Sequence, residues 1–470
     1  MKLSHLLRLA TFSAIVPLAL SAHAQGDPAT LDRIADQGKN HSEIVQRLHT
    51  LCFDIGARLT SSPELYKGQL WALTQFRKFG CTNVHLEKWG EVPVGFDRGP
   101  NQICRMVEPF ESDMQFTDQA WSNGTEGLER GDAIMLPETV QDIVAHAADF
   151  KDKWVIVTSG GGRGGVSAEV TAALEKAGAF GTISGARNEL VVTSGPRYRS
   201  LTFEKHPGLP ALTVRKSDYD RITRNLVFFK RKVVLEVNAE NRWYKGPIPC
   251  YNVIADIKGT EKPDEMVIVS GHFDSWNGPG SQGAQDNGVG AMTAMEAARI
   301  LCAARAKPKR TIRFILWSGE EQGILGSTAY VKMHKDDLDK ISAVLVDDGG
   351  GNYQGGYSVL PQMKPMMQAA IQKSLDTFPD MPQVLRTVGG TRMSRGGGSD
   401  HAPFNAVGVP GFFTIETGTL NYTFVHHTQN DRFETIIPAY LVQSGTNHAI
   451  VSYNLACADT LLPREPKPAQ

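Results

Sequence analysis

Acidic and imidazole side chains follow three short apolar runs of this sequence, at the point where each run ends. The runs are residues 266–270, 311–317 and 341–346, and the polar residues after them are His272, Asp274, Glu320, Glu321, Asp347 and Asp348. In an open α/β sheet, ligands gather beyond the carboxyl ends of the strands, so we expect these side chains to converge on one crevice. Crowded carboxylates repel one another at neutral pH unless protons or cations neutralise them. The pattern therefore predicts an acidic crevice that binds metal.

The mixture of ligand types favours zinc. Imidazole and carboxylate together suit this metal, and a carboxylate can bridge two ions. Asp286 lies just before a predicted helix and is well placed to be that bridge. Two zinc ions together with the carboxylates of Asp286, Glu321 and Asp348 would have a net charge of +1, which a bridging hydroxide would cancel. Paired metals about 3.5–4 Å apart activate such a hydroxide and polarise a peptide carbonyl, and Glu320 is then free to act as general base.

Each of these residues has a simpler explanation when it is considered alone. Glu320 and Glu321 are typical surface charges after a strand, and Asp286 is typical of a helix cap. His272 fits a hydrogen-bonded structural histidine, and His427 fits a solvated loop. Their joint occurrence in this chain order favours a metal site over these separate explanations.

Six motifs between residues 247 and 463 resemble those of the co-catalytic zinc exopeptidases, the aminopeptidase and glutamate carboxypeptidase family. They are GHFDSW, GAQDNGVG, LWSGEEQGILGS, VDDGGG, GGGSDHAPF and VHHTQND. The resemblance implies two zinc ions per chain, Glu320 as general base and Asp274 as the acid that orients a ligand histidine. The zinc ligands that it implies are His272, Asp286, Asp348, Glu321 and His427, with Asp286 shared. Asp347 also fits the family's Asp-x-Gly pattern, and alignment favours Asp348.

Strand-like apolar runs alternate with helical stretches in the second half of the chain. Strands are predicted at residues 253–257 and at the three runs above, and helices at residues 288–305, 323–334 and 363–376. Such alternation implies a mostly parallel sheet flanked by helices, an α/β sandwich. Helical periodicity over residues 41–79 and a short strand at residues 84–89 open the same domain.

The chain divides into five predicted parts. These are a signal peptide (1–24), the N-terminal part of the peptidase domain (25–98), an inserted domain (99–245), the catalytic zinc-peptidase domain (246–462) and a tail (463–470). The inserted domain is predicted to be β-rich and resembles a protease-associated domain through KWVIVTSG and AGAFGTISG. We expect it to cap the crevice and restrict substrate length; a spacer that never touches substrate is the alternative.

The first residues indicate export. Two basic residues precede an apolar run at residues 9–20, and residues 22–24 supply a small-x-small cleavage site. The run is shorter than the roughly 20 residues that a membrane span needs. Cleavage after Ala24 would give a periplasmic or secreted protein. The six cysteines are widely spaced and show no disulfide framework, so no pairing is assigned.

The charge balance limits the partners. The chain has 49 Lys and Arg residues against 50 Asp and Glu residues, a formal net charge of -1. It therefore lacks the broad basic field that attracts nucleic acid or anionic lipid. We expect a short peptide or dipeptide as substrate, no binding to nucleic acid, and no membrane association after signal cleavage. A homodimer is one possible assembly.

The predicted activity is zinc-dependent hydrolysis of dipeptides or short peptides, and an aminopeptidase of the same family is the alternative. A non-catalytic binding protein and a glutaminyl cyclase-like transferase are disfavoured because the base and both ligand sets are present. A G-x-G-x-x-G fingerprint at residues 160–165 would indicate a dinucleotide site, but a lone fingerprint in a glycine-rich stretch is weak. Sequence alone does not place the residues that would read a peptide terminus, which include Arg392, Arg395, Asp400 and Tyr422.

Overall fold

The computed structural model describes residues 26–158, 166–196, 201–204 and 208–465. The predicted signal peptide and the glycine fingerprint at residues 160–165 lie outside these ranges. Within the described ranges, no helix is both long enough and apolar enough to cross a membrane.

The described residues contain fourteen β-strands and twelve α-helices. The strands are β1 Thr82–Glu108, β2 Ser112–Asp113, β3 Phe116–Asp118, β4 Glu129–Met135, β5 Trp154–Ile156, β6 Gly181–Gly185, β7 Ala211–Val214, β8 Val234–Ile257, β9 Lys262–His272, β10 Arg310–Trp317, β11 Ile341–Val346, β12 Tyr353–Val359, β13 Val384–Thr387 and β14 Gly411–Thr417. The helices are α1 Pro28–Lys39, α2 Ile44–Thr50, α3 Pro63–Phe79, α4 Val140–Ala145, α5 Ala168–Ala177, α6 Lys216–Thr223, α7 Val289–Ala303, α8 Leu325–Met333, α9 Lys364–Thr377, α10 Ala402–Ala406, α11 Tyr422–Val425 and α12 Pro438–Cys457.

One mixed sheet contains these strands. Its order is β13-β12-β14-β11-β9-β10-β8-β4-β5-β6-β7-β3, with β1 paired to β8 and β2 to β1. Strands β9, β10, β11 and β14 are parallel, so their carboxyl ends lie at the same edge of the sheet. Strand β8 runs antiparallel to β10. It also runs antiparallel to β1, alongside which the chain returns from the inserted region.

Alternate residues of the central strands face two separate cores. Val267, Val269 and Leu345 pack with α1, α7 and α12, whereas Ile268 and Val344 pack with α8 and α10 on the other face. All six residues of β11 are buried, as expected for a strand that is covered on both faces. The predicted α/β architecture with flanking helices is confirmed, although the sheet is mixed rather than mostly parallel.

Strands β1 and β8 form a long antiparallel ribbon that joins the two parts of the sheet. Their pairing runs from Thr82 opposite Asp256 to Glu108 opposite Val234. The last residues of β8 pair with β10, and its first residues pair with β4. Both strands continue through the positions predicted as domain boundaries, after residues 98 and 245, and the division into domains stays a prediction.

The inserted region has a core of its own. Trp154, Ile183, Leu212 and Leu235 belong to one buried cluster of strands β4 to β8. Strands β4, β5, β6 and β7 are parallel, and helices α4, α5 and α6 accompany them, so this region contains helices as well as strands. Its resemblance to a protease-associated domain stays a prediction.

The first described helix packs against the last one. The backbone nitrogen of Gly26, just before α1, donates to Asn454 Oδ1 on α12 at 2.9 Å. Gly38 lies so close to α12 that a Cβ atom there would sit 2.2 Å from Thr446 Oγ1. The absence of a side chain at residue 38 therefore permits this helix contact.

Candidate metal centre

His272 is the last residue of β9, and its ring is buried at the carboxyl edge of the sheet. Its Nδ1 lies 2.9 Å from the backbone oxygen of Asp274, an acceptor, so the Nδ1 nitrogen carries the proton. The Nε2 nitrogen lies 3.2 Å from Asp286 Oδ1 and 3.0 Å from Asp348 Oδ1. The ring is thus oriented by its own loop and directs Nε2 at two carboxylates.

Asp286 lies between two imidazole rings. It belongs to the turn Ala284–Gly288 that leads into α7, in which its own backbone is extended, with a φ of -126° and a ψ of 94°. One carboxylate oxygen lies 3.2 Å from His272 Nε2, and the other lies 3.0 Å from His427 Nε2. A carboxylate that presents one oxygen to each of two ligand groups has the geometry expected of a bridge.

Glu321 and His427 complete the second half of the cluster. Glu321 follows β10, and its Oε2 lies 3.1 Å from His427 Nε2. His427 has a φ of 58°, a left-handed conformation that costs free energy for a residue with a Cβ atom. Neighbouring contacts must therefore stabilise the loop that carries it.

The acids of the cluster change the protonation of these rings. Burial alone lowers the pKa of His427, but Glu321 and Asp286 outweigh it and raise this pKa to about 11. Burial likewise opposes protonation of His272, and Asp348, Asp274 and Asp286 raise its pKa well above the ordinary value. Burial and Asp286 raise the pKa of Glu321 to about 7. The carboxylates thus favour positive charge beside both rings, and a bound cation can supply that charge in place of a proton.

The donor set fits zinc. The side-chain ligand atoms of His272, Asp286 and Glu321 all lie within 4.8 Å of one another. The same holds for His272, Glu320 and Asp348, and for Asp286, His426 and His427. The buried Oε1 atom of Glu321 has no hydrogen-bond partner, which is costly for a carboxylate unless a cation is nearby. Nitrogen and carboxylate oxygen are the ligands that zinc takes together.

Of the two adjacent acids after β11, only Asp348 directs its carboxylate at His272. The side chain of Asp347 lies on the other side, where its Oδ2 is 3.9 Å from His448 Nδ1. The backbone oxygen of Asp347 accepts from Asn287 Nδ2 at 2.7 Å. The structure therefore places Asp348 in the cluster and Asp347 beneath it.

Asp274 connects the β9 loop to the turn that carries Glu320. Its carboxylate accepts from Thr60 Oγ1 at 2.7 Å and from the backbone nitrogens of Glu320 and Glu321 at 3.3 and 3.4 Å. The hydrogen bond to the His272 ring comes from the backbone oxygen of Asp274, while its Oδ1 is 3.7 Å from that ring. The backbone oxygen of Asp274 thus contacts the His272 ring, while its carboxylate contacts the turn of Glu320. The role of Asp274 in orienting His272 stays a prediction.

Glu320 is half-buried beside the ligand atoms. Burial raises the pKa of its carboxyl well above the ordinary value, and the neighbouring Asp348 and Asp400 carboxylates raise it further while His272 lowers it. A carboxyl that takes up a proton readily at neutral pH is suited to general acid–base chemistry.

A segment of the inserted region binds the loop of His427. The backbone nitrogen of Thr193 donates to the His427 oxygen at 2.9 Å, and Val192 forms a β-bridge with Thr428. The rings of Trp276 and His427 are 6.1 Å apart in an edge-to-face contact. These contacts join residues that are more than one hundred and fifty positions apart, so sequence patterns gave no signal of them.

Gln429 is the side chain that ties this loop to the inserted region. Its Oε1 accepts from the Val191 nitrogen at 3.0 Å, and its Nε2 donates to the Glu189 oxygen at 2.9 Å and to Gln115 Oε1 at 3.1 Å. We expect Gln429→Ala to loosen the His427 loop and lower zinc affinity by about 10-fold. Competition with a chromogenic chelator measures this change.

Gln372 offers a matched control for that substitution. Its amide lies on the exposed surface of α9, where it donates to Asp376 Oδ1 at 3.1 Å. Gln372→Ala should leave zinc affinity unchanged. Equal affinities for the two variants would mean that the Gln429 amide does not position His427.

Arg58 is a fully buried cation that the sequence analysis missed. Its Nε donates to the Phe273 oxygen at 2.6 Å, and its Nη atoms donate to the oxygens of Gly56, Gln282 and Gly283 at 3.0, 3.4 and 2.8 Å. The side chain therefore fastens together the N-terminal segment, the loop after β9 and the turn before Asp286.

Two of the four residues considered for reading a peptide terminus lie beside the cluster. Asp400 is buried and accepts from Ser327 Oγ, and the ring of Tyr422 is 4.9 Å from that of His426. Arg395 is exposed and pairs with Glu465 at 3.1 Å. Arg392 is exposed as well.

Two imidazole–carboxylate clusters that share one acid, at the carboxyl edge of an α/β sheet, define the class of metal-dependent hydrolases. Residues 252–451, which contain the whole cluster, match the sequence model of peptidase family M28. The predicted resemblance of this part of the chain to a zinc exopeptidase family is confirmed, as is the predicted enzyme class, a metalloexopeptidase.

Relatives extend the likeness beyond this segment. Carboxypeptidase Q of Mus musculus is 27% identical over 436 residues, which cover 92% of this chain and 89% of that protein. A peptidase M28 precursor from Shewanella amazonensis is 24% identical and covers 93% of this chain and 98% of its own, with a TM-score of 0.65. A zinc aminopeptidase from Bacillus subtilis is 22% identical and covers 87% and 94%, with a TM-score of 0.53. These two structural likenesses show a shared fold.

Proposed function

We propose that the protein is an exported zinc exopeptidase that cleaves dipeptides or short peptides. One zinc would be held by His272, Asp286 and Asp348, and a second by Asp286, Glu321 and His427. The observation that carries this proposal is the position of Asp286, whose two oxygens lie 3.2 and 3.0 Å from the two histidine rings. When bound, such a metal pair supplies polarisation of the peptide carbonyl and a lowered pKa of water.

Glu320 performs the proton transfers of the proposed reaction. Its carboxylate accepts a proton from the water that attacks the peptide carbonyl and returns it to the amine that leaves. Asp274 fixes the position of Glu320 through its hydrogen bond to the Glu320 backbone nitrogen. Burial raises the pKa of the Glu320 carboxyl, and the neighbouring acids raise it further, which favours uptake of the proton from the water.

His427→Ala tests the second ligand set. We expect this variant to lose one zinc and most activity, because Asp286 and Glu321 would be left without the imidazole. Elemental analysis of the purified chain measures the zinc content. The adjacent His426→Ala is the matched control, since His426 Nε2 is 3.6 Å from Asp286 Oδ2 and its side chain is 46% exposed. Loss of zinc in His426→Ala alone would reverse the assignment of the two rings.

A panel of dipeptides with free or blocked termini tests the reaction itself. The named relatives include a carboxypeptidase and an aminopeptidase, so activity on free dipeptides is expected and the blocked forms separate the two types. A blocked amino terminus that abolishes cleavage would favour the aminopeptidase alternative. Chelation should abolish the activity and added zinc should restore it; undiminished turnover after complete zinc removal would refute a zinc enzyme.

Export is a separate part of the proposal. We infer a periplasmic or secreted protein from residues 1–24, with cleavage after Ala24. N-terminal sequencing of chain recovered outside the cytoplasm should give Gln25 as the first residue. Recovery of chain that still begins at Met1 from the cytoplasm alone would contradict export.

A further inference from the structure

Cys81 and Cys302 lie side by side although they are 221 positions apart in the chain. Their Sγ atoms are 3.8 Å from each other. Cys81 follows α3, just after Gly80, and Cys302 lies in the last turn of α7. The two sulfur atoms therefore meet where the N-terminal segment contacts the helix that begins beside Asp286.

We propose that Cys81 and Cys302 form a disulfide bond in the exported protein. A bonded pair has its sulfurs about 2.05 Å apart, so the two must approach by roughly 1.8 Å, which side-chain rotation can supply. Both residues are half-buried, whereas Cys52, Cys104, Cys250 and Cys457 are buried. Small thiol reagents therefore have better access to this pair than to the other four sulfurs.

The oxidation balances with a disulfide donor of the kind found in oxidising compartments. One thiol, as its thiolate, attacks the donor disulfide, and the second thiolate then displaces the donor from the mixed disulfide. The two cysteines lose two electrons and two protons in total, and the donor becomes a dithiol. This route relies on the export included in the proposed function.

A metal ion bound by the two thiols is the competing explanation, and the neighbouring groups argue against it. The nearby carboxylate of Asp256 is already engaged by Arg313 at 2.8 and 2.9 Å and by Asn83 at 2.7 Å. Structural zinc takes four ligands, and two half-buried thiols supply only half of them. A covalent bond satisfies both sulfurs without further ligands.

The bond would close a loop that contains the whole inserted region. Such a crosslink restricts the unfolded chain, so it stabilises the folded protein. It would also attach α7 to the segment that carries α3. Because α7 starts directly after the turn of Asp286, the crosslink would steady the support of the metal cluster.

Peptide mapping of the exported full chain tests the bond. Free thiols are alkylated under denaturing conditions before digestion without reductant. We expect a crosslinked peptide pair that contains Cys81 and Cys302, and alkylation of the other four cysteines. Alkylation of all six, or a different pairing, would overturn the proposal.

A second arm separates the pairing from export. Reduced purified protein is incubated with oxidised glutathione, and the same pairing is expected even if the cell does not export the chain. Reduction should lower the Tm of the oxidised protein by about 5 °C, and the Tm of the variant C81S/C302S should not respond to reductant. An equal change of Tm on reduction in the oxidised protein and in C81S/C302S would exclude a disulfide between these two cysteines. Dipeptide hydrolysis is measured in parallel, so loss of the disulfide and failure of the peptidase proposal give different results.

Discussion

Glu320→Gln is expected to abolish peptide hydrolysis while leaving the zinc content unchanged. The amide has nearly the same shape as the carboxyl group but cannot accept a proton from water. Loss of a general acid–base group typically costs 10²- to 10⁴-fold in rate, so we expect kcat to fall by at least about 10²-fold. Steady-state kinetics with a free dipeptide, together with elemental analysis, measure both quantities.

The adjacent Glu321→Gln provides the comparison for this experiment. Glu321 Oε2 lies 3.1 Å from His427 Nε2, so this substitution should reduce zinc binding as well as turnover. The two neighbouring acids thus have different expected signatures. Turnover of Glu320→Gln near that of the unmodified protein, or zinc loss in this variant, would refute the role assigned to Glu320.

Arg58→Leu is expected to cause the largest loss of stability. The side chain is fully buried, and its donors engage backbone oxygens of Gly56, Phe273, Gln282 and Gly283. Removal of the guanidinium leaves the buried Phe273 oxygen without this donor and takes one donor from each of the other three oxygens, of which that of Gly283 still accepts from the Gly288 nitrogen. We expect the free energy of unfolding to fall by roughly 3–5 kcal/mol. Urea unfolding of zinc-loaded and chelated protein measures the change and separates folding from metal binding.

Two further arginine variants are controls for this measurement. Arg58→Lys keeps the charge but cannot reproduce the planar set of donors, so it should restore stability only in part. Arg242 is exposed and pairs with Glu240, and Arg242→Leu should cost less than about 1 kcal/mol. If Arg58→Leu were no more damaging than Arg242→Leu, the buried guanidinium would have no special structural role.

The strands that carry the cluster were predictable because their apolar runs are continuous. The predicted strand at residues 341–346 is β11 as observed, and the predicted helix at residues 288–305 is α7, Val289–Ala303. Parallel strands end at a common edge, so the chemistry of the residues after them could be deduced before their positions were known. The observed cluster geometry is consistent with the expected ligand set, whose roles stay predictions.

Other features left no periodic signal. The helical stretch predicted over residues 41–79 is interrupted after the π-helical turn Leu51–Ile55, where Gly56 adopts a φ of 94°. The interruption contains Arg58 and Thr60, which bind the loop after β9. Such contacts depend on residues more than two hundred positions away, and local propensity contains no information about them. The strand predicted at residues 84–89 is only the start of β1, which continues to Glu108. The rest of β1 was not predicted because burial along it does not alternate regularly from residue to residue.

The packing of α1 on α12 has a consequence for biosynthesis. The partner of Gly26 is 428 residues further along the chain, and α12 supplies much of the core against which Leu31 and Ile34 pack. Ribosomes add about 5–20 residues per second, so the apolar face of α1 stays exposed for roughly 20–90 s before α12 has been synthesised. Nascent chains are therefore expected to need chaperone protection until α12 has been made, and chains that terminate before residue 438 should aggregate instead of folding.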